Sequence, residues 1–160
     1  MKIAVFPGTF DPITNGHVDL IERGAKLFDQ FYILVSFNLN KITLFSINER
    51  VAQIEQAVAH IRNVKVAVNE NMLTVDFAKK LDATTIVRGI RNTADFEYEF
   101  QMAQINAKLA PMIETIFLST TNEHAILSST MVKEVAKFGG DVTSFVPPHI
   151  TNQLIAKFDD

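Results

Sequence analysis

Five short apolar runs recur along the chain, each followed by a stretch whose apolar residues have helical spacing, and that pattern leaves few folds open. The first run, Ile3-Ala4-Val5-Phe6, is short and continuous, as a buried parallel strand requires. Residues 31–37, Phe-Tyr-Ile-Leu-Val-Ser-Phe, make the second, Val64 to Val68 an alternating third, Thr85-Ile86-Val87 the fourth and Glu114 to Leu118 the last. Between them, Val18, Ile21, Ala25 and Phe28 mark a helix ending near Asp29, and Val51, Ile54, Val58 and Ile61 mark one face of a helix over residues 48–60. Thr74 is the predicted N-cap of a helix over 75–81, and Asp95 that of a helix over 96–109. Ser128-Ser129-Thr130 starts a helix through Phe138 that Gly139-Gly140 ends, and Pro147-Pro148 opens a final one to Phe158. The alternation predicts an α/β fold, one doubly wound domain over residues 1–160, around a five-stranded, mostly parallel sheet with right-handed crossovers.

Ligands of such folds bind beyond the carboxyl ends of the strands, and the polar clusters of this chain fall there. Pro7, Gly8, Asp11, Pro12, Asn15 and Gly16 crowd the stretch after the first strand, a cradle in which positive φ angles are expected, and it delivers His17 to a helix start. Lys41 sits in the polar loop after strand two. Arg88-Gly89-Ile90-Arg91 reads as a turn ending strand four, with Gly89 freeing the backbone to approach a ligand, and Ser128 and Ser129 open a helix. Taken singly, each has a plainer reading: His17 hydrogen-bonded locally, Lys41 a surface lysine, Arg88 and Arg91 a solvated pair, the serines caps, Glu97 and Glu99 a solvated edge. In the helix over 96–109, Phe96, Phe100, Ala103 and Ala107 form one apolar stripe and Tyr98, Met102, Ile105 and Leu109 another. One is expected to meet the sheet and the other a ligand or a second subunit.

Composition narrows the function further. The net charge of -3 excludes a general nucleic-acid surface, so any anion site is local. Without cysteine there is no disulfide framework, thiolate metal site or thiol nucleophile, which fits a cytoplasmic protein. The apolar run before Pro7 is too short for a signal peptide, no stretch approaches membrane-spanning length, and the chain is expected to be soluble, with no membrane partner. His60, His124 and His149 have no metal-ligand spacing with a carboxylate, and neither Gly-x-Gly-x-x-Gly nor the Walker phosphate loop occurs.

Two segments carry a resemblance. Thr14-Asn15-Gly16-His17 is similar to the T/H-x-G-H motif of the nucleotidyltransferase superfamily with a Rossmann-like fold, and Leu127 to Lys133 resembles its second motif. Pro7 to His17, Val87 to Arg91, Asp95 to Phe100 and Gly139-Gly140-Asp141-Val142 together resemble the bacterial phosphopantetheine adenylyltransferase family, nearly end to end. The resemblance implies transfer of AMP from ATP to 4′-phosphopantetheine, giving dephospho-coenzyme A and pyrophosphate, with Mg²⁺ held mainly by ATP phosphates and water. It implies that His17 stabilises charge on the ATP phosphates, with Lys41 and Arg91 also catalytic. Thr9, Lys41 and Arg88 would hold the nucleophilic phosphate and Thr74 the pantetheine arm. Thr9, Phe10, His17, Gly89, Ile90, Arg91, Glu99, His124, Ala125, Ile126, Leu127, Ser128, Ser129 and Thr130 would bind ATP. It implies a homohexamer and coenzyme A as a feedback ligand. Departures from the family pattern lie in His124-Ala125-Ile126-Leu127, which lacks the usual aromatic followed by Ser-Phe-Ile, and in Asn40-Lys41-Ile42-Thr43, which lacks a second lysine and a proline. The Arg88/Arg91 pair and the Asp95 to Phe100 run argue against the sister nicotinate-mononucleotide adenylyltransferases and cytidylyltransferases, and intact His17, Lys41, Arg88 and Arg91 argue against a nucleotide-binding module without catalysis.

Overall fold

The computed structural model describes residues 1–37 and 42–159. The described elements run β1 (Ile3–Gly8), α1 (Asn15–Ala25), β2 (Gln30–Ser36), α2 (Ile47–Val58), β3 (Val64–Asn69), α3 (Thr74–Lys80), β4 (Thr85–Ile90), α4 (Thr93–Leu109), β5 (Glu114–Ser119), a 3₁₀ turn at Asn122–His124, α5 (Ser129–Lys137) and α6 (Pro148–Phe158). The sheet order is β3-β2-β1-β4-β5 and every pairing is parallel, as the alternation predicts.

Successive strand residues point to opposite faces, so each strand serves two cores. On one face Ala4, Phe6, Phe31, Ile33, Val35 and Val87 meet Leu20 and Ile21 of α1, Ile54 and Val58 of α2, Val132 of α5, and Ile150 and Leu154 of α6. On the other, Ile3, Val5 and Ile86 meet Val75 and Ala78 of α3. The helix α4 also lies on this second face, where Phe96 meets the edge of Phe117 at 5.8 Å, yet Glu99 is its one buried residue. Phe100, Tyr98, Ile105 and Leu109 stay 46–62% exposed, so both apolar stripes leave surface uncovered.

Between β1 and β4 the sheet begins to open. These strands pair through Ala4–Thr85 and Val5–Ile86 and then diverge, at the point where the strand order reverses direction. An open α/β sheet forms its ligand crevice at such a switch point, because crossovers leave it to opposite sides. Arg88 reaches across the gap to donate to the carbonyl of Pro7, which has lost its ladder partner on that side.

Several boundaries differ from those expected. The strand β4 runs through Ile90, so Arg88 and Gly89 belong to a strand rather than a turn. A Cβ at Gly89 would lie 2.4 Å from Leu20 Cδ1, so this glycine also lets α1 pack closely on the sheet. Asn92, not Asp95, caps α4, and Thr74 is the first residue of α3, whose N-cap Leu73 has no side chain able to accept. Within the cradle the residue at positive φ is Phe10, at 49°, not a glycine.

The cradle is fixed from below by Asp11, which is 1% exposed. Its carboxylate accepts from the backbone N–H groups of Leu44 and Phe45, both at 2.9 Å, and from Lys133 Nζ at 2.7 Å. Burial alone would raise this carboxyl, but the Lys133 ammonium and the two amides outweigh it and hold its pKa below the usual value. Beside it Arg50, 2% exposed, donates to the carbonyls of Thr9 at 2.8 Å and Ser36 at 3.4 Å. Removing one partner of a buried pair leaves the other charge uncompensated, so Asp11→Ala is expected to destabilise the protein by about 3–5 kcal/mol, read from urea unfolding. An unfolding free energy within error of the parent would refute the role given to this carboxylate.

Candidate active site

Two clefts open at the switch point and share a wall. One, of about 350 Å³, is lined by the cradle, His17, Arg88, Arg91 and the start of α5. The other, of about 730 Å³, runs over the second face of the sheet between the β3–α3 connection and α4. Pro7, Gly8, Thr9, Arg88 and Glu99 line both.

His17 is the third residue of α1, and its position there settles its chemistry. Thr14, the N-cap, accepts from the His17 backbone N–H, while the Thr14 backbone N–H donates back to His17 Nδ1 at 3.0 Å. This is a capping box in which imidazole stands where a Glu or Gln carbonyl oxygen usually does. Because Nδ1 accepts a backbone N–H, the ring proton resides on Nε2, and His17 is a neutral donor on the cleft wall. Burial, then the charges of Arg91 and Arg88, lower its pKa from 6.5 to about 4. The ring of Phe10 meets that of His17 edge-on, centroids 5.0 Å apart. Gly8 makes room for this arrangement, since a Cβ there would come within 2.9 Å of the Phe10 ring.

Arginine placement is equally constrained. Arg88 Nε and Nη2 donate to the two oxygens of Glu99 at 2.7 and 2.5 Å, and Nη1 donates to Pro7. Arg91 Nε and Nη2 donate to Asp95 at 2.9 and 3.2 Å, and Nη1 to the carbonyl of Leu127 at 2.9 Å. A guanidinium carries five N–H groups, so each keeps two for a ligand. Glu99 is therefore no part of a solvated edge. At the start of α5, Ser128 Oγ accepts from the Met131 N–H and Ser129 Oγ donates to the carbonyl of Pro12 at 2.7 Å. The backbone N–H groups of Ser129 and Thr130, like that of Gly16 in α1, have no hydrogen-bond partner among the described residues. Two helix N-termini thus present free donors to one cleft, a site suited to phosphate oxygens.

Of the residues singled out from the sequence, Thr9, Phe10, His17, Arg88, Gly89, Arg91, Glu99, His124, Leu127, Ser128, Ser129 and Thr130 line the first cleft, and Thr74 lines the second. Ile90, Ala125 and Ile126 line neither, and Ile126 is 69% exposed. Lys41 lies outside the described residues. Arg50, Asp95 and Lys133 escaped sequence reasoning as parts of the site, as did Asn69 and Asn106 on the second cleft, whereas Tyr98 and Met102 there belong to one of the two α4 stripes singled out from the sequence. Except for Asp95, whose partner Arg91 is four residues away, their roles depend on residues distant in the chain, and the paired stripes of α4 were the one hint of the second cleft.

Among the described residues Mg²⁺ finds no cage. No group of three His, Cys, Asp or Glu residues among those described could hold a metal ion, and the cleft carboxylates Asp11, Asp95 and Glu99 are each paired with a cation. No helix of the described chain is long and apolar enough to cross a membrane.

Residues 5–135 match the family model described as cytidylyltransferase-like, the class of nucleotidyltransferase that this sheet and cradle define. The chain is 49% identical over its whole length to phosphopantetheine adenylyltransferase of Heliobacterium modesticaldum, covering 95% of that protein. It is 51% identical, over 97% of its length and 93% of the relative's, to the protein of the same name from Synechococcus elongatus. In structure it superposes on a candidate nicotinate-nucleotide adenylyltransferase from Vibrio parahaemolyticus with a TM-score of 0.74, covering 100% of this chain and 98% of that one, at 18% identity, a likeness of fold. The chain belongs to the phosphopantetheine adenylyltransferase family.

At pH 7 the His17 ring is expected to show the Nε2–H tautomer by ¹⁵N NMR and to titrate near the lowered value of about 4. An ordinary titration near 6.5 would refute the capping-box assignment. Between 6.5 and about 4 the unfolded chain takes up a proton here that the folded chain refuses, so stability is lost as pH falls through that window.

Proposed function

We propose that the chain is a phosphopantetheine adenylyltransferase that joins the phosphate of 4′-phosphopantetheine directly to the α-phosphorus of ATP. A phosphate oxygen of the acceptor forms the new P–O bond, the bond from the α-phosphorus to the bridging oxygen breaks, and pyrophosphate leaves with that electron pair, giving dephospho-coenzyme A. The observation that carries this reading is the shared wall: two clefts meet at Thr9, Arg88 and Glu99, so an anion in each would be held side by side.

A phosphate monoester is already anionic near neutral pH, so the site needs no general base. Positioning and stabilisation of developing charge suffice. ATP occupies the first cleft, its phosphates on the Nε2–H of His17, the free amides of Gly16, Ser129 and Thr130, and the spare N–H groups of Arg91. Because His17 is neutral before the nucleotide arrives, it donates a hydrogen bond that strengthens as charge builds on the leaving group. The acceptor phosphate sits on Thr9, the spare donors of Arg88 and Lys41, with the pantetheine arm along the second cleft past Thr74. Gly89 and Ile90 act through the strand that carries Arg88 and leads into Arg91, and His124 and Leu127 border the nucleotide, with Ala125 and Ile126 in the segment that joins them. Mg²⁺ comes with ATP, held by phosphate oxygens and water, and neutralises charge on the nucleotide.

The same reading places the protein in the cytoplasm, in coenzyme A synthesis, with coenzyme A as a feedback ligand able to span the second cleft. It also gives a homohexamer, supported by the uncovered apolar surface of α4.

Pyrophosphate release from ATP is expected only when 4′-phosphopantetheine is added, and turnover with nicotinate mononucleotide instead would overturn the assignment. His17→Ala is expected to lower kcat by about 10²–10³ with a far smaller change in ATP affinity, the loss typical of one preorganised donor. Because transfer is direct, mass spectrometry of protein incubated with ATP alone should find no adenylylated species.

A further inference from the structure

The arginines of the cleft enter it already compensated, and both compensating carboxylates come from one helix. Asp95 and Glu99 are four residues apart on α4, hence on the same face, and clamp Arg91, just past the end of β4, and Arg88 within it. Asp95 accepts three hydrogen bonds from Arg91, from Nε, Nη2 and the backbone N–H at 2.9, 3.2 and 3.1 Å. Leu127 takes the remaining anchored donor, so the Arg91 fork is stretched between α4 and the segment entering α5.

This carboxylate is not needed to start the helix, because Asn92 accepts the cap hydrogen bond from the Asp95 N–H. Nor is it buried in the core: its side chain is 24% exposed, and its loss would leave no buried orphan. What it changes is Arg91. It fixes the plane of the guanidinium, leaving two N–H groups aimed by a rigid fork, and it offsets the cation's charge. An uncompensated guanidinium at a polyphosphate site would hold that anion before and after reaction alike, which favours binding without favouring turnover.

We propose that Asp95 is a positioning residue acting through Arg91: it aims the guanidinium at the polyphosphate and, by offsetting its charge, keeps the cleft from retaining pyrophosphate. This rests on the reading of the first cleft as a polyphosphate site. The two effects of the carboxylate pull in opposite directions on affinity and rate, whereas a merely structural residue would lower both together.

The test uses full-length protein, with inorganic pyrophosphate as the probe, titrated calorimetrically at fixed ionic strength beside steady-state kinetics. Asp95→Asn is expected to bind pyrophosphate about tenfold tighter, the scale of one partly exposed charge no longer offset, while kcat falls about tenfold or more and KM for ATP does not rise. In an Arg91→Ala background the same substitution should leave pyrophosphate affinity unchanged. Asp95→Ser serves as a second variant and should show the same signs. Weaker or unchanged pyrophosphate binding in both variants, or the same gain without Arg91, overturns the proposal. Absence of pyrophosphate binding to the parent protein would instead overturn the polyphosphate reading itself, separating the two failures.

Discussion

A carboxylate sealed from water organises the ligand-facing edge of this protein. Asp11 leaves the cradle after β1, Leu44 and Phe45 precede α2, and Lys133 belongs to α5, so one side chain gathers two crossovers and the segment after the last strand. A buried ion is costly unless its lone pairs are met, and here two amides and an ammonium meet them. The same fixed loop carries the Thr9 carbonyl onto Arg50 and the Pro12 carbonyl onto Ser129. A strand end that would otherwise fray becomes a rigid bed, and Phe10 is held in a left-handed conformation that isolated chains rarely sample.

Rigidity matters because the proposed direct transfer has no moving proton relay to exploit. The reaction is served by donors that already point where charge will appear. His17 illustrates the economy: one hydrogen-bond pair starts α1, selects the ring tautomer and leaves the other nitrogen as donor. Arg88 does something similar across the sheet, mending the unpaired end of β1 while forming the wall between two clefts.

What could be read from the sequence was position along the strands, because turn residues and helix starts are local signals. His17, Arg88, Arg91, Ser128 and Ser129 fell at the carboxyl edge without any knowledge of their neighbours. Partners were illegible. Nothing near Glu99 announces Arg88 of β4, and Asp95 at a helix start imitates the cap that Asn92 provides, which hides its pairing with Arg91 four residues earlier. Gly89 was legible only in part for the same reason: it does line the first cleft, but in a strand rather than a turn, and its absent Cβ also makes room for Leu20, nearly seventy residues away. The strand β4 outlasted its apolar run because Arg88 and Ile90 pair with Phe117 and Ser119, a tertiary reason.

The start of α5 carries one more implication. Ser128 caps the helix, Ser129 holds Pro12, Val132 enters the core and Lys133 reaches Asp11, four neighbouring residues each keyed to a different part of the molecule. Adding or deleting one residue here would rotate everything beyond it by about 100°. All four keys could not then engage together. Homologous chains should therefore vary freely in composition at exposed Met131 and Glu134 but keep the length of this segment, making its spacing, rather than its letters, the heritable quantity.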